Sequence, residues 1–366
     1  MKIIEPSFEY IDRSELTYAE LIEKIGRTCY KSENGVKDGS AKLFVSTLVK
    51  SKHYAMLEHY WVHFKVPKTT FFKYEVRLLV ANYIGDGVYT DIDKYVQVTS
   101  TDRGYFISCP IRVFLELDDK LYNGRAGFSF ENPKNKRIYE SIADLWSLLQ
   151  FYHTAIPFKC IKGGDVQSNC RCEMYNESLF IERLKQALLE KEYRTEAIRH
   201  MALRHEIMKH KIHTYRIVCD RGVSHELVRH RPCSFAQEST RYCNYTKDKF
   251  GNEITVIKPY FFNRQPNTDK GVHYDDSNYT DWLRACEMCE KMYFSLIEHG
   301  ATPQEARTVL PNSLKTELIV TANEAEWQHI ADLRAIGYTG NPHPQMREIM
   351  MPLYHDIREK SEGRIE

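Results

Sequence analysis

From residue 281 to 299 the apolar side chains recur at helical intervals: Trp282, Ala285, Cys289, Met292, Tyr293 and Leu296 share one stripe, and Gly300 follows. Spacing of three and four predicts an amphipathic helix, and a glycine just beyond it supplies the left-handed residue on which helices often end. The same period puts Leu16, Ala19, Ile22 and Ile25 on a first helix over 14–27 behind Ser14 as cap, predicts a second over 41–50, and aligns Ile138, Ile142, Leu145 and Leu149. After His59 the period drops to two, with Trp61, His63 and Lys65 on one side and Val62, Phe64 and Val66 on the other, so a strand is expected to open near His59. Further strands are predicted over 95–98 and 105–108, joined by the turn Asp102–Gly104, and over 214–218 and 254–257. Helix is predicted over 178–191 and 190–210, and a short helix over 223–228 stops at Pro232. Thr302-Pro303 restarts a helix. Asn323 caps the next, which turns Trp327, Ile330 and Leu333 inward and ends on Arg334; a final helix carries Arg347.

Composition narrows the partners. The chain has 366 residues, 42% of them hydrophobic, enough for one large domain or two ordinary ones. Lys and Arg total 51 against 50 Asp and Glu, so no global field favours nucleic acid or a membrane surface, and any anion site has to come from local clustering. No apolar run approaches a membrane span, and the first residues lack the core of a signal peptide, which leads to the expectation of a cytoplasmic protein with reduced thiols. Cys170 with Cys172 and Cys286 with Cys289 have no second pair at finger spacing, so no metal is expected. No glycine-rich phosphate loop follows a predicted strand, which removes the Rossmann and P-loop classes.

The candidate chemistry is concentrated in residues 220–242, where Arg221, Arg229, Arg231 and Arg241 stand among His225, His230, Ser224, Ser234, Ser239 and Thr240. Guanidinium groups match phosphate and carboxylate oxygens and do not titrate away, so the stretch reads as a site for an anionic ligand. The alternative is a solvated basic turn neutralised by Asp220, Glu226 and Glu238. Arg229-His230-Arg231, then seven residues, then Ser239, extended by Gln237-Glu238-Ser239-Thr240-Arg241-Tyr242 and Asp220-Arg221-Gly222, resembles the flavin-dependent thymidylate synthases, also called thymidylate synthase complementing proteins. Leu57-Glu58-His59, Leu310-Pro311-Asn312, Thr321-Ala322-Asn323, Leu333-Arg334 and Gln345-Met346-Arg347 agree in order.

The resemblance implies an α+β fold, a mixed β-sheet with flanking helices, formed by residues 1–66 and 213–366, with 67–212 as an inserted subdomain. It implies reductive methylation of dUMP to dTMP with 5,10-methylenetetrahydrofolate as carbon donor, FAD as cofactor and NADPH as reductant, in a homotetramer whose sites lie between subunits. Carried onto this chain, Arg229, His230, Arg231 and Ser239 form the catalytic set. Tyr30, His59 and Arg334 join the triplet around flavin, and Glu226, Gln237, Glu238, Ser239, Thr240, Arg241 and Arg347 take dUMP. Two positions depart from the family. Lys315 stands where several members have an arginine, and Gln237 where others often carry an acid. Cys233 is a nearby thiol that the family does not require. Two rival expectations are a nucleic-acid phosphate-binding protein and an inactive relative that serves as a scaffold.

Overall fold

A computed structural model describes residues 1–66, 96–113, 115, 173–263 and 277–366. The predicted helical face at 138–149 and Cys170 with Cys172 lie outside them. The strands are β1 (Lys2–Ile4), β2 (Ser7–Tyr10), β3 (Trp61–Val66), β4 (Gln97–Thr101), β5 (Gly104–Pro110), β6 (Glu173–Tyr175), β7 (Ile212–Asp220), β8 (Ser234–Gln237), β9 (Thr255–Ile257) and β10 (Lys315–Asn323). The helices are α1 (Tyr18–Tyr30), α2 (Ser40–Lys50), α3 (Glu177–Leu189), α4 (Glu196–His210), α5 (Arg221–Leu227), α6 (Ser277–Glu298), α7 (Pro303–Ala306), α8 (Glu324–Ala331) and α9 (Pro344–Lys360). Among the described residues no helix is long and apolar enough to cross a membrane.

Helix and sheet are both present, as expected, but in place of the expected mixed β-sheet the body is organised on a wholly antiparallel one in the order β2-β7-β10-β8. Its central pair, β7 with β10, runs from Lys315 opposite Asp220 to Asn323 opposite Ile212. Leu318, Val320 and Ala322 share one face with Tyr215, Ile217 and Cys219, where Trp327, Ile330, Met346, Ile349, Leu353 and Ile357 of α8 and α9 cover them. On the opposite face Ile319 and Ala236 pack against Ile11 and against Leu21, Ile25 and Cys29 of α1. A second antiparallel sheet, β4-β5-β3-β6, is built around β3 by strands that come from the 67–212 interval. β1 and β9 pair in parallel.

Four local expectations are corrected. α1 begins behind Thr17, whose hydroxyl accepts from the Glu20 amide at 3.4 Å while the Glu20 carboxylate accepts from Thr17 N at 2.9 Å; this capping box outcompetes Ser14, which turns to Asp12. His59 ends a 3-10 turn over Tyr54–His59, and the strand opens only at Trp61. Along α6 the buried positions are Cys286 and Tyr293, which meet Ile254, Val256 and Leu314, whereas Ala285 and Met292 are exposed and Cys289 is half-buried. The covering layer is narrower than the stripe, so only a seam of the helix sinks. After α8 the chain makes a π turn over Asp332–Ile336, and the extra residue rotates Ala335 inward in place of the half-buried Leu333.

The strand at β3 also departs from simple alternation. Trp61, Val62, His63 and Phe64 are all buried, and the side that carries His63 is covered by α3, whose Phe180 ring lies 5.1 Å from that of His63. Part of the polar surface there is taken up by a buried chain of hydrogen bonds. His63 Nδ1 meets Ser108 Oγ at 2.7 Å, Ser108 Oγ meets His210 Nδ1 at 2.8 Å, His210 Nε2 meets Thr99 Oγ1 at 2.9 Å, and Thr99 donates to Glu206.

Candidate functional site

β7 delivers the chain to the site. Asp220 caps α5, its Oδ1 accepting from Val223 N at 2.8 Å, and Gly222 passes so near that a Cβ there would lie 2.7 Å from Asn312 Nδ2. α5 starts two residues earlier than expected, and the turn after it carries Arg229 and Arg231 to the surface while His230 faces inward. His230 Nε2 accepts from Arg334 Nε at 3.2 Å. A guanidinium can only donate, so the imidazole proton sits on Nδ1, which faces Glu326 Oε1 at 3.4 Å. Arg334 also donates to Glu226 Oε2 at 2.7 Å, and the His329 ring stands edge-on to His230 at 5.6 Å. Glu226, His230 and Arg334 are therefore one cluster, with Glu326 and His329 as neighbours that sequence reasoning missed. The only sequence signal for these two was their three-residue spacing on a capped helix. Ligand atoms of His230, Glu326 and His329 lie within 4.8 Å of one another, close enough for a cation, but Arg334 already takes the His230 lone pair and its charge opposes one.

β8 then crosses to the other end of the sheet. Gln237 Nε2 donates to Ser224 Oγ at 3.0 Å and to Thr316 Oγ1 at 3.2 Å. Glu238 is buried, its carboxylate accepting from Lys315 Nζ at 2.8 Å, and Lys315 also reaches Glu317 Oε1 at 2.6 Å. Lys31 and Arg216 pair with the same Glu317. Burial would raise the Glu317 pKa, but Lys315 and Lys31 hold it down at about 2. Beyond this network Ser239 N donates to Cys29 O at 3.2 Å and Thr240 Oγ1 accepts from Arg307 at 3.4 Å. The Tyr242 ring lies 5.8 Å from that of Tyr30, and the Arg241 guanidinium stands 5.5 Å from the Tyr242 ring centre. Tyr30, Glu238, Ser239, Thr240 and Arg241 thus form a second cluster.

His59 stands apart from both, fully buried, with Nδ1 on Thr321 Oγ1 at 2.8 Å and Nε2 without a hydrogen-bond partner among the described residues; burial lowers its pKa to about 3. Arg347 is exposed on the first turn of α9, and its side chain makes no hydrogen bond or ion pair among the described residues. The same is true of the exposed Arg229 and Arg231, and Arg241 makes only its contact with Tyr242. The three carboxylates that could have neutralised them are engaged elsewhere: Asp220 on the α5 amide, Glu226 on Arg334 and Glu238 on Lys315. The solvated-turn alternative loses its counter-ions. Lys315, in turn, is held between two carboxylates of its own chain.

Cys233 is buried, and burial pushes its thiol well above the ordinary cysteine range, with Glu326 adding to the shift. A group held as the thiol is a poor nucleophile. Cys233→Ala is therefore expected to keep most of any thymidylate-forming turnover, and intact-mass analysis after incubation with 5-fluoro-dUMP and the folate should find no adduct. An adduct mapped to Cys233 would contradict this assignment.

The family profile described as thymidylate synthase complementing protein matches residues 169–361, a segment that begins inside the 67–212 interval. The flavin-dependent thymidylate synthase of Pyrococcus abyssi is 27% identical over 146 residues, covering 40% of this chain and 54% of that protein. That of Geobacter sulfurreducens is 33% identical over 114 residues, covering 31% and 43%. The chain spans about half the length of the curated relatives it matches. Among solved structures, the UMP/dUMP methylase PolB from Streptomyces cacaoi bound with 5-Br dUMP aligns at 19% identity with a TM-score of 0.35, covering 50% of this chain and 77% of that one. With the profile running over more than half of the residues and through both side-chain clusters, the chain belongs to the thymidylate synthase complementing protein family, the flavin-dependent thymidylate synthases.

Proposed function

We propose that the protein converts dUMP to dTMP, taking the carbon from 5,10-methylenetetrahydrofolate and the hydride from FAD reduced by NADPH, in the cytoplasm and as a homotetramer with sites between subunits. The observation that carries this reading is the set of exposed arginines, Arg229, Arg231, Arg241 and Arg347, which have no carboxylate partner among the described residues. Such a donor set fits a dianionic nucleotide and a pyrophosphate-bearing cofactor, whose oxygens would supply the missing acceptors. When bound, the flavin supplies the hydride. Ser239 and Arg241 hold the nucleotide phosphate, with Gln237, Glu238 and Thr240 shaping the same wall and Arg347 closing it from α9. Arg229, His230 and Arg231 position the uracil ring, with Glu226 on the nucleotide side, while Tyr30, His59 and Arg334 frame the cofactor side. A guanidinium close to the uracil carbonyls stabilises the negative charge that develops as carbon 5 attacks the methylene.

The test is product formation: purified protein with FAD, dUMP, methylenetetrahydrofolate and NADPH, assayed for dTMP by chromatography. Absence of dTMP with every component present would sink the reading. Arg231→Ala should lower kcat/KM by about tenfold to a hundredfold, the worth of a charge-assisted contact in a water-poor site. Arg284→Ala is the control. Its guanidinium lies 3.8 Å from Asp281 on the exposed side of α6, a pair worth little, and activity should be unchanged. Equal losses in the two variants would contradict the assignment.

A further inference from the structure

α1, α7 and α8 each carry a glutamate at their third position, where a carboxylate can reach back to the backbone N–H of the capping residue. Glu20 and Glu305 do so, accepting from Thr17 N at 2.9 Å and from Thr302 N at 2.8 Å. Glu326 of α8 does not. Asn323 caps that helix, its Oδ1 accepting from Glu326 N at 2.9 Å, but the Glu326 carboxylate makes no bond back to Asn323 N and turns to His230 instead. Its Oε1 lies 3.4 Å from His230 Nδ1, with 13% of the Glu326 side chain and 4% of the His230 side chain exposed. Cys233, which burial holds as the thiol, donates to the same oxygen at 3.9 Å. A carboxylate with an ordinary task at its helix end is thus diverted to one ring nitrogen.

The consequence passes through the ring. His230 Nε2 accepts from Arg334 Nε at 3.2 Å, which requires the ring proton on Nδ1, inside the fold, and Glu326 is the acceptor that faces it. A buried N–H with no acceptor is costly, and the imidazole can escape that cost by carrying its proton on Nε2 instead. That tautomer sets one N–H against another. Arg334 would then keep only Glu226, whose carboxylate accepts from Nη1 at 2.7 Å and whose carbonyl accepts from Nη2 at 3.4 Å. The guanidinium would be free to swing about that one residue.

We propose that Glu326 is a positioning residue: it keeps the His230 proton on Nδ1 and thereby holds Arg334 in place on the cofactor side of the site. The role towards cofactor rests on the flavin reading, whereas the tautomer does not, so the two can fail separately. ¹⁵N-histidine NMR on the full-length protein without ligand reads the tautomer. His230 is expected as Nδ1–H in the wild type and in Glu326→Gln, whose amide oxygen still accepts, and as a mixture containing Nε2–H in Glu326→Leu. Titration of FAD, followed by quenching of its fluorescence, should show binding about tenfold weaker in Glu326→Leu and within about twofold of wild type in Glu326→Gln. In a His230→Leu background Glu326→Leu should cost nothing further, because its effect runs through the ring. Glu326→Asp, one methylene short, should show the same changes in smaller degree and decides the matter if Glu326→Leu does not fold. A wild-type His230 protonated on Nε2, an unchanged tautomer in the deciding variant, or additive losses in the double variant would overturn the proposal. A wild type that binds no FAD would sink the flavin reading and, with it, the role of Arg334, while the tautomer would still report whether Glu326 orients His230.

Discussion

Acidification from pH 7.5 to pH 5.5 is expected to remove several kcal/mol of stability, well before any carboxylate titrates. His59, His63 and His210 are buried as neutral rings, and burial lowers their pKa values to about 3, 4 and 3. In the unfolded chain each titrates near its ordinary value of about 6.5. Between that value and the folded one, the unfolded state binds protons that the folded state refuses, so stability falls as pH falls. Each group contributes about 1.4 kcal/mol per pH unit in that window, and three together about 4 kcal/mol per unit once the pH is below 6. Urea midpoints across this range read the slope directly. Replacing His210 by Gln should remove about a third of it, and a flat profile between pH 7.5 and 5 would contradict the burial of these rings as neutral groups.

Lys315→Met is expected to destabilise the fold by about 3–5 kcal/mol, the usual consequence of removing one member of a buried ion network, because Glu238 is left without a cation while Glu317 keeps Lys31 and Arg216. Glu238 and Glu317 would lose the cation that both accept from, in a place where their side chains are 2% and 7% exposed. Burial alone would lower the Lys315 pKa, yet the two carboxylates raise it, so the lysine stays charged throughout the neutral range. Glu317 adds its own acid limb. Its folded pKa is depressed, so its contribution is complete above the unfolded value and is lost as pH falls from about 4.5 towards 2. Adding Glu238→Gln to Lys315→Met should recover part of the loss. A single-variant cost under about 1 kcal/mol would mean that the network behaves like a surface pair.

The elements that depend on local period were legible in the sequence: α1, α6, α8 and the strands at β5, β7 and β9 lie close to where spacing predicts them. What escaped was decided by partners remote in the chain. β3 reads as an alternating strand with His63 and Lys65 on one side, but α3 lays Phe180 over His63, and Ser108 and His210 turn that ring into buried structure. The phase of α8 was lost at Leu333 because a π turn adds a residue that no periodicity announces. At the candidate site the arginines were visible, but their lack of counter-ions was not. Asp220, Glu226 and Glu238 sit among them in the sequence, and only the fold turns those carboxylates towards Val223 N, Arg334 and Lys315.

The pairing of β7 with β10 also governs how the chain reaches this structure. The register joins Asp220 to Lys315 and Ile212 to Asn323, separations of 95 (315 − 220) and 111 (323 − 212) residues. Closing a loop of that length costs about 4 kcal/mol of chain entropy before the first ladder bond forms. The helices can form early from local contacts, but the central sheet has to wait for this non-local encounter, which places refolding in the slow regime of β-dominated topologies. Until the encounter, Leu318, Val320 and their partners Tyr215 and Ile217 remain exposed. The vulnerable species during synthesis is therefore a chain with β7 emerged and β10 still to come, presenting an unpaired apolar edge to its neighbours.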